Sequence, residues 1–101
     1  MNSFELFRSR CDSKAQVHID RTRRFCLSLG DSVVESVRAH RIVYGKGMTM
    51  RWFVDVCPGE DSTTIKIQQG RREEPLIVVI PYKDDISAVF PQIKTAYCTL
   101  H

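Results

Sequence analysis

The chain lacks the features that would place it outside the ordinary globular class. Its longest apolar run, Leu76 to Pro81, falls far short of the ~20 residues a membrane helix needs, so no membrane role is expected. It has no close cysteine pair. Cys11, Cys26, Cys57 and Cys98 stand far apart, which excludes a zinc ribbon and a disulfide-dense miniprotein. His18, His40 and His101 show no HxH or HxxxH spacing, so no metal or other cofactor is expected. No basic segment followed by an apolar one opens the chain. No secretory signal is therefore expected, and the thiols should be reduced in a cytoplasmic setting. Neither sign of charge dominates: 15 Lys and Arg face 12 Asp and Glu, a net charge of +3, too small alone to imply a polyanionic partner.

What remains is 101 residues, 43% hydrophobic and 27% charged. That is one domain over residues 1–101, able to bury roughly 65% of its unfolded surface. No repeat, low-complexity tract or long linker divides it.

Residues 1–11 leave two readings open, a frayed start or a first helical turn carrying Phe4 and Phe7. Asp12 to Leu29 reads as a helix: Asp12 or Ser13 caps it, Ala15, Ile19, Thr22, Cys26 and Leu29 recur at helical spacing, and Gly30 stops it. Asp31 to Val37 is mixed, since Ser32 and Glu35 have capping-box spacing while Val33, Val34 and Val37 favour strands. A short turn or helix is expected there, then a strand from about Ala39 to Tyr44. Gly45-Lys46-Gly47 reads as a tight turn. Met48 to Val56 alternates, with Met50, Trp52, Val54 and Val56 on one side, Thr49, Arg51 and Asp55 on the other, and Phe53 the exception that points outward. Pro58-Gly59 is a turn, and Thr63 to Gln69 alternates with Ile65 and Ile67 inward. Leu76 to Tyr82 is apolar on both faces, the mark of a strand covered on both sides. Ile86, Val89, Phe90, Ile93, Tyr97 and Leu100 mark an amphipathic helix that Pro91 kinks, or breaks after Phe90.

The order helix, about four strands, helix predicts an α+β domain. A single antiparallel sheet carries both helices on one face, as in TATA-binding-protein-like and helix-grip folds.

The catalytic motifs are weak. Cys57 and His40 are the one thiol–imidazole pair near the sheet, and one such pair in a chain this size is expected by chance. Asp55 followed by a strand bearing Lys66 suggests a metal-dependent nuclease, but the second carboxylate should stand where Thr64 does. Gly45-Lys46-Gly47 lacks P-loop spacing. No enzyme is expected. The basic residues carry more. Residues 1–46 hold nine basic and five acidic side chains, and ten of the fifteen basic residues are arginine, which suits bidentate phosphate contact. Arg21 and Arg24 share a helix face beside Arg23. Arg38 and Arg41 flank His40. Arg51 and Lys66 are expected on the outer faces of neighbouring strands, with Thr64 and Gln68, and Arg71-Arg72 in a loop. Scattered surface arginines are ordinarily just solvated. Gathered on one face, Arg21, Arg24, Arg38, Arg41, Arg51 and Lys66 would track a phosphate backbone.

RIVYGKG (41–47), RWFVDVCP (51–58), VVIPYKDDI (78–86) and QIKTAY (92–97) resemble a small bacterial and archaeal domain of unknown function labelled a predicted transport protein. The resemblance covers about residues 39–97 and carries over no catalytic residue. It implies a binding accessory. The expected function is a small binding module with nucleic acid as its partner. The alternatives are a protein-interaction or homodimerisation domain, and a small-molecule site between sheet and C-terminal helix lined by Trp52, Tyr82 and Tyr97.

Overall fold

Two short polar side chains start the N-terminal helices. The computed structural model describes residues 2–70 and 72–100. In it Asn2 accepts a hydrogen bond from the Glu5 amide at 2.8 Å and opens α1 (Ser3–Ser9). Asp12 accepts from the Lys14 and Ala15 amides at 3.0 Å and opens α2 (Ser13–Ser28). Such caps satisfy amides with no partner inside the helix. Of the two readings of the N-terminus, a helical one therefore holds, with Phe4 and Phe7 buried. α2 turns Ala15, His18, Ile19, Thr22 and Cys26 inward. Arg8 holds Asp20 with two nitrogens, each 2.8 Å from a carboxylate oxygen, and joins α1 to α2.

Five strands follow, one more than the spacing predicts: β1 (Val33–Val37), β2 (Ile42–Lys46), β3 (Arg51–Pro58), β4 (Ser62–Ile67) and β5 (Leu76–Pro81). They form one antiparallel meander in chain order. The additional strand is β1, where a turn or short helix was expected. Its valines pair with β2, and that pairing outweighs the local capping pattern of Ser32 and Glu35. β2 runs through Gly45 and Lys46, so the turn falls later. The Gly47 amide bonds the Ser32 carbonyl, and the Met50 amide closes back on Gly47. Gly47 has φ +80° and Met50 φ +47°, the left-handed geometry of a tight turn.

One face of the sheet is the core. Ile42 and Tyr44, Val54 and Val56, and Ile65 and Ile67 are buried in register, and α2 and α3 pack over β3 and β4. The alternation breaks once. Phe53 and Val54 are both fully buried, and the β2–β3 register shifts between Tyr44 and Gly45. A bulge sets two residues against one and resets the phase of the strand. Phe53 therefore points inward, not outward, and meets the Tyr97 ring edge-on at 5.4 Å. Before the bulge, Arg51 pairs with Lys46 on the helix side, and Trp52 pairs with Gly45 and is half-exposed. The placement of Arg51 reverses the expected one.

After β5, Asp85 accepts from the Ser87 amide and opens a 3-10 turn (Ile86–Val89). Helix α3 (Phe90–Thr99) begins there, with Pro91 in its first turn, where its missing N–H has no partner to lose. The break thus comes one residue before the expected one. Phe90 lies flat on Phe25 with ring centroids 4.3 Å apart, joining α3 to α2. Lys46 Nζ donates to the Leu100 carbonyl at 2.9 Å and the Tyr97 carbonyl at 3.4 Å, closing the end of α3. β5 is an edge strand, not a doubly covered one. Its outward side chains Ile77 and Val79 are 59% and 56% exposed.

Candidate functional site

The helices leave the other face of the sheet open. A row of side chains in register crosses it from edge to edge: Ser36, Val43, Asp55, Lys66 and Ile77. Its centre is Asp55, only 7% exposed although it alternates with Val54 and Val56 and so faces away from α2 and α3. Neighbouring side chains enclose it. Arg41, just before β2, brings its Nε to 3.5 Å from the carboxylate. Arg38, just beyond β1, donates to Ser36 Oγ at 2.9 Å, and its amide bonds the Arg41 carbonyl across the hairpin. Lys66 is the register partner of Asp55 on β4. Burial pushes the Asp55 carboxyl above its ordinary value, and the charges of Arg41, Lys66 and Arg38 pull it back. Three cations thus surround one enclosed carboxylate. Beyond Lys66, Ile77 and Val79 add an exposed aliphatic border on β5.

The structure brings together three of the six candidate residues: Arg38, Arg41 and Lys66. Arg51 lies on the helix side, in a cleft of about 640 Å³ shared with Trp52, Gln68, Gln69 and the C-terminal turn of α3. Arg21 and Arg24 are exposed on α2, which packs on the covered face. Arg21 is engaged by Asp85 at 2.5 Å, and its neighbour Arg23 by Glu35 at 2.8 Å. Arg72 is exposed, while Arg71 and His101 lie outside the described residues.

The other candidate groups have ordinary partners. The Cys57 thiol meets the backbone carbonyl of His40, not its ring, at 3.5 Å. The buried ring of His18 bridges three elements: Nε2–H donates to the Asp84 carbonyl at 3.0 Å, and Nδ1 shares a 2.9 Å contact with the Thr63 hydroxyl. Tyr82 packs edge-on against that ring and donates to the Gly59 carbonyl. Of the three aromatics expected to line a small-molecule site, only Trp52 reaches the cleft under α3. Gln68, expected on the outer face, lines that cleft instead; its buried Oε1 has no hydrogen-bond partner among the described residues, while its Nε2 donates to the Gly70 carbonyl. No signal in the sequence distinguishes that glutamine from a solvated one. Among the described residues, no three His, Cys, Asp or Glu side chains converge as metal ligands would. No described helix is long and apolar enough to cross a membrane. Comparison with protein-family models, curated proteins and solved structures finds no match.

Proposed function

We propose that the chain is a binding module whose open sheet face holds single-stranded nucleic acid. The observation that carries this reading is the gathering of Arg38, Arg41 and Lys66 on one uncovered face, around a carboxylate that balances only one of them. Guanidinium and ammonium groups in such a row suit successive phosphates. The aliphatic border of Ile77 and Val79 offers unstacked bases an apolar surface, in place of the aromatic platform usual in such proteins. Few phosphates are engaged and the apolar border is aliphatic, so binding is weak and indifferent to sequence.

Fluorescence anisotropy with labelled single-stranded oligonucleotides tests it. Three phosphate contacts give a log–log salt slope near −2, so affinity should fall roughly fifteen- to twentyfold between about 50 and 200 mM salt. The triple variant Arg38→Ala, Arg41→Ala, Lys66→Ala should abolish that dependence. Arg21→Ala with Arg24→Ala on α2 should leave it intact. Absence of binding at the lower salt, or equal binding by the triple variant, refutes the reading.

A second reading has one specific observation behind it. Gln68 Oε1, in the cleft shared by Trp52 and α3, has no donor among the described residues. A small molecule carrying an N–H or O–H group would satisfy it, and the single tryptophan of the chain would report its entry.

A further inference from the structure

We infer that β5 pairs with β5 of a second copy of this chain, antiparallel and across a two-fold axis at Val78, joining two sheets into one. It draws on none of the cations of the nucleic-acid reading and shares with it only the side chains of Ile77 and Val79.

The polarity of β5 follows from one hydrogen bond. The Tyr82 amide donates to the Asp61 carbonyl, and in an antiparallel ladder successive residues alternate between facing the neighbour and facing away. Leu76, Val78 and Ile80 therefore address β4. The N–H and C=O groups of Ile77 and Val79 point out at the free edge. Among the described residues no strand lies beyond β5. Pro81 falls on the outward side as well, where its lack of an N–H costs the β4 ladder nothing.

Edge strands are commonly protected by charge, by a bulge or by extreme shortness. β5 (LIVVIP) has six residues, no charge and an unbroken register with β4. Its edge is an available template. Of the two-fold registers that keep the sheet faces aligned, those centred on Val78 and on Val79 overlap the two strands most. Centred on Val78, each Ile77 lies opposite Val79 of the second copy. All four residues then direct their N–H and C=O groups at each other, and each pair closes two hydrogen bonds. Centred on Val79, Ile77 would meet Pro81, which has no N–H to give. The Val78 register also sets Ile77 and Val79 beside their counterparts, covering the two largest exposed aliphatic areas of the strand. The strand ends match in charge. Glu73 and Glu74 precede β5 and Lys83 follows it, all exposed, so antiparallel copies bring acid toward base at both ends.

One strand pair makes a small junction, in the transient class below about 1,200 Å². Sedimentation equilibrium from about 1 µM to about 1 mM covers the affinities expected of that class. The mass should rise from the monomer value of 11.7 kDa toward twice that value. Val79→Pro removes an outward N–H without touching the β4 ladder, and should hold the chain at monomer mass with its circular dichroism unchanged. Ile77→Lys, at a solvent-exposed position, should do the same by setting two cations near the axis. Lys83→Glu should weaken the dimer, and adding Glu73→Lys to it should restore it. Monomer mass across the whole range overturns the inference. So does a dimer that persists in both Val79→Pro and Ile77→Lys, because it must use another surface.

Discussion

Glu35 and Asp55 lie on opposite faces of one sheet, and both are largely withdrawn from water, with side chains 16% and 10% exposed. Their surroundings differ. Glu35 faces the helices. Arg23 Nε reaches one of its oxygens at 2.8 Å, the Tyr44 hydroxyl donates to that same oxygen at 2.8 Å, and Arg23 in turn covers the Phe4 ring at 4.0 Å. The arrangement is closed, and burial beside Glu35 drives the Tyr44 hydroxyl strongly away from ionising. Asp55 faces the open side. Its ion-pair partner Arg41 stands at 3.5 Å and is half-exposed. A carboxylate satisfied from all sides holds a fold together. One ringed by loosely engaged cations leaves those cations available to something else. The covered face is thus where substitutions should alter stability, and the open face is where they should alter binding.

The widest separation should come from neighbours in sequence. Ile65→Ala, on the covered face, should cost about 3–4 kcal/mol in urea unfolding. Thr64→Ala, one residue away on the open face, should stay within about 0.5 kcal/mol. Similar losses at both positions would mean that the open face is packed against something in solution.

A smaller contrast is expected within the Glu35 cluster. Glu35→Ala strands the Tyr44 hydroxyl and the Arg23 guanidinium and should cost about 2–3 kcal/mol, whereas Tyr44→Phe removes one hydrogen bond to a charged group and should cost about 1–2 kcal/mol. Thermal or chemical unfolding reads both. A neutral Tyr44→Phe would dissolve the distinction between the two carboxylates.

The smallest effect is the most diagnostic. Burial raises the Asp55 carboxyl, so the folded chain holds this proton to higher pH than the unfolded chain does. The stability it contributes is complete below the unfolded value of 3.8 and is lost as pH rises through the folded value. Asp55→Asn should therefore gain on the native chain as unfolding is measured from pH 3.8 upward. A native chain that instead gains on Asp55→Asn over that range would show that Arg41, Lys66 and Arg38 outweigh burial, and that the cations are already committed.

The last helix and β4 were legible because their periods are uninterrupted: Ile86 through Leu100 at helical spacing, and Ile65 and Ile67 against Thr64 and Lys66. The places where reading failed share a cause, which is that local pattern carries no information about what lies alongside. Ser32 and Glu35 have the spacing of a cap, yet Glu35 serves Arg23 and Tyr44. Leu76 to Pro81 has the composition of a central strand, but chain-order pairing puts the last strand at an edge. At Phe53 a single additional residue inverts the phase, and with it the assignment of Arg51. The site was legible to the same extent. Arg38, Arg41 and Lys66 follow from strands whose phase was read correctly or whose hairpin keeps them together. Arg51 was lost to the bulge, and Arg21 and Arg24 to the helix that carries them to the other side.

Pairing strictly in chain order also bears on how the molecule assembles. Every strand meets its neighbour across a short connection, the longest running from residue 68 to residue 75. The entropy lost on closing each connection is small, because that loss grows with the length of chain enclosed. Only the helices must close a large loop, when Phe25 finds Phe90. Local topologies fold quickly among β-containing domains. The hairpins can thus form while both ends of the chain are still free, and the aromatic clasp is left to complete the process from the two ends inward.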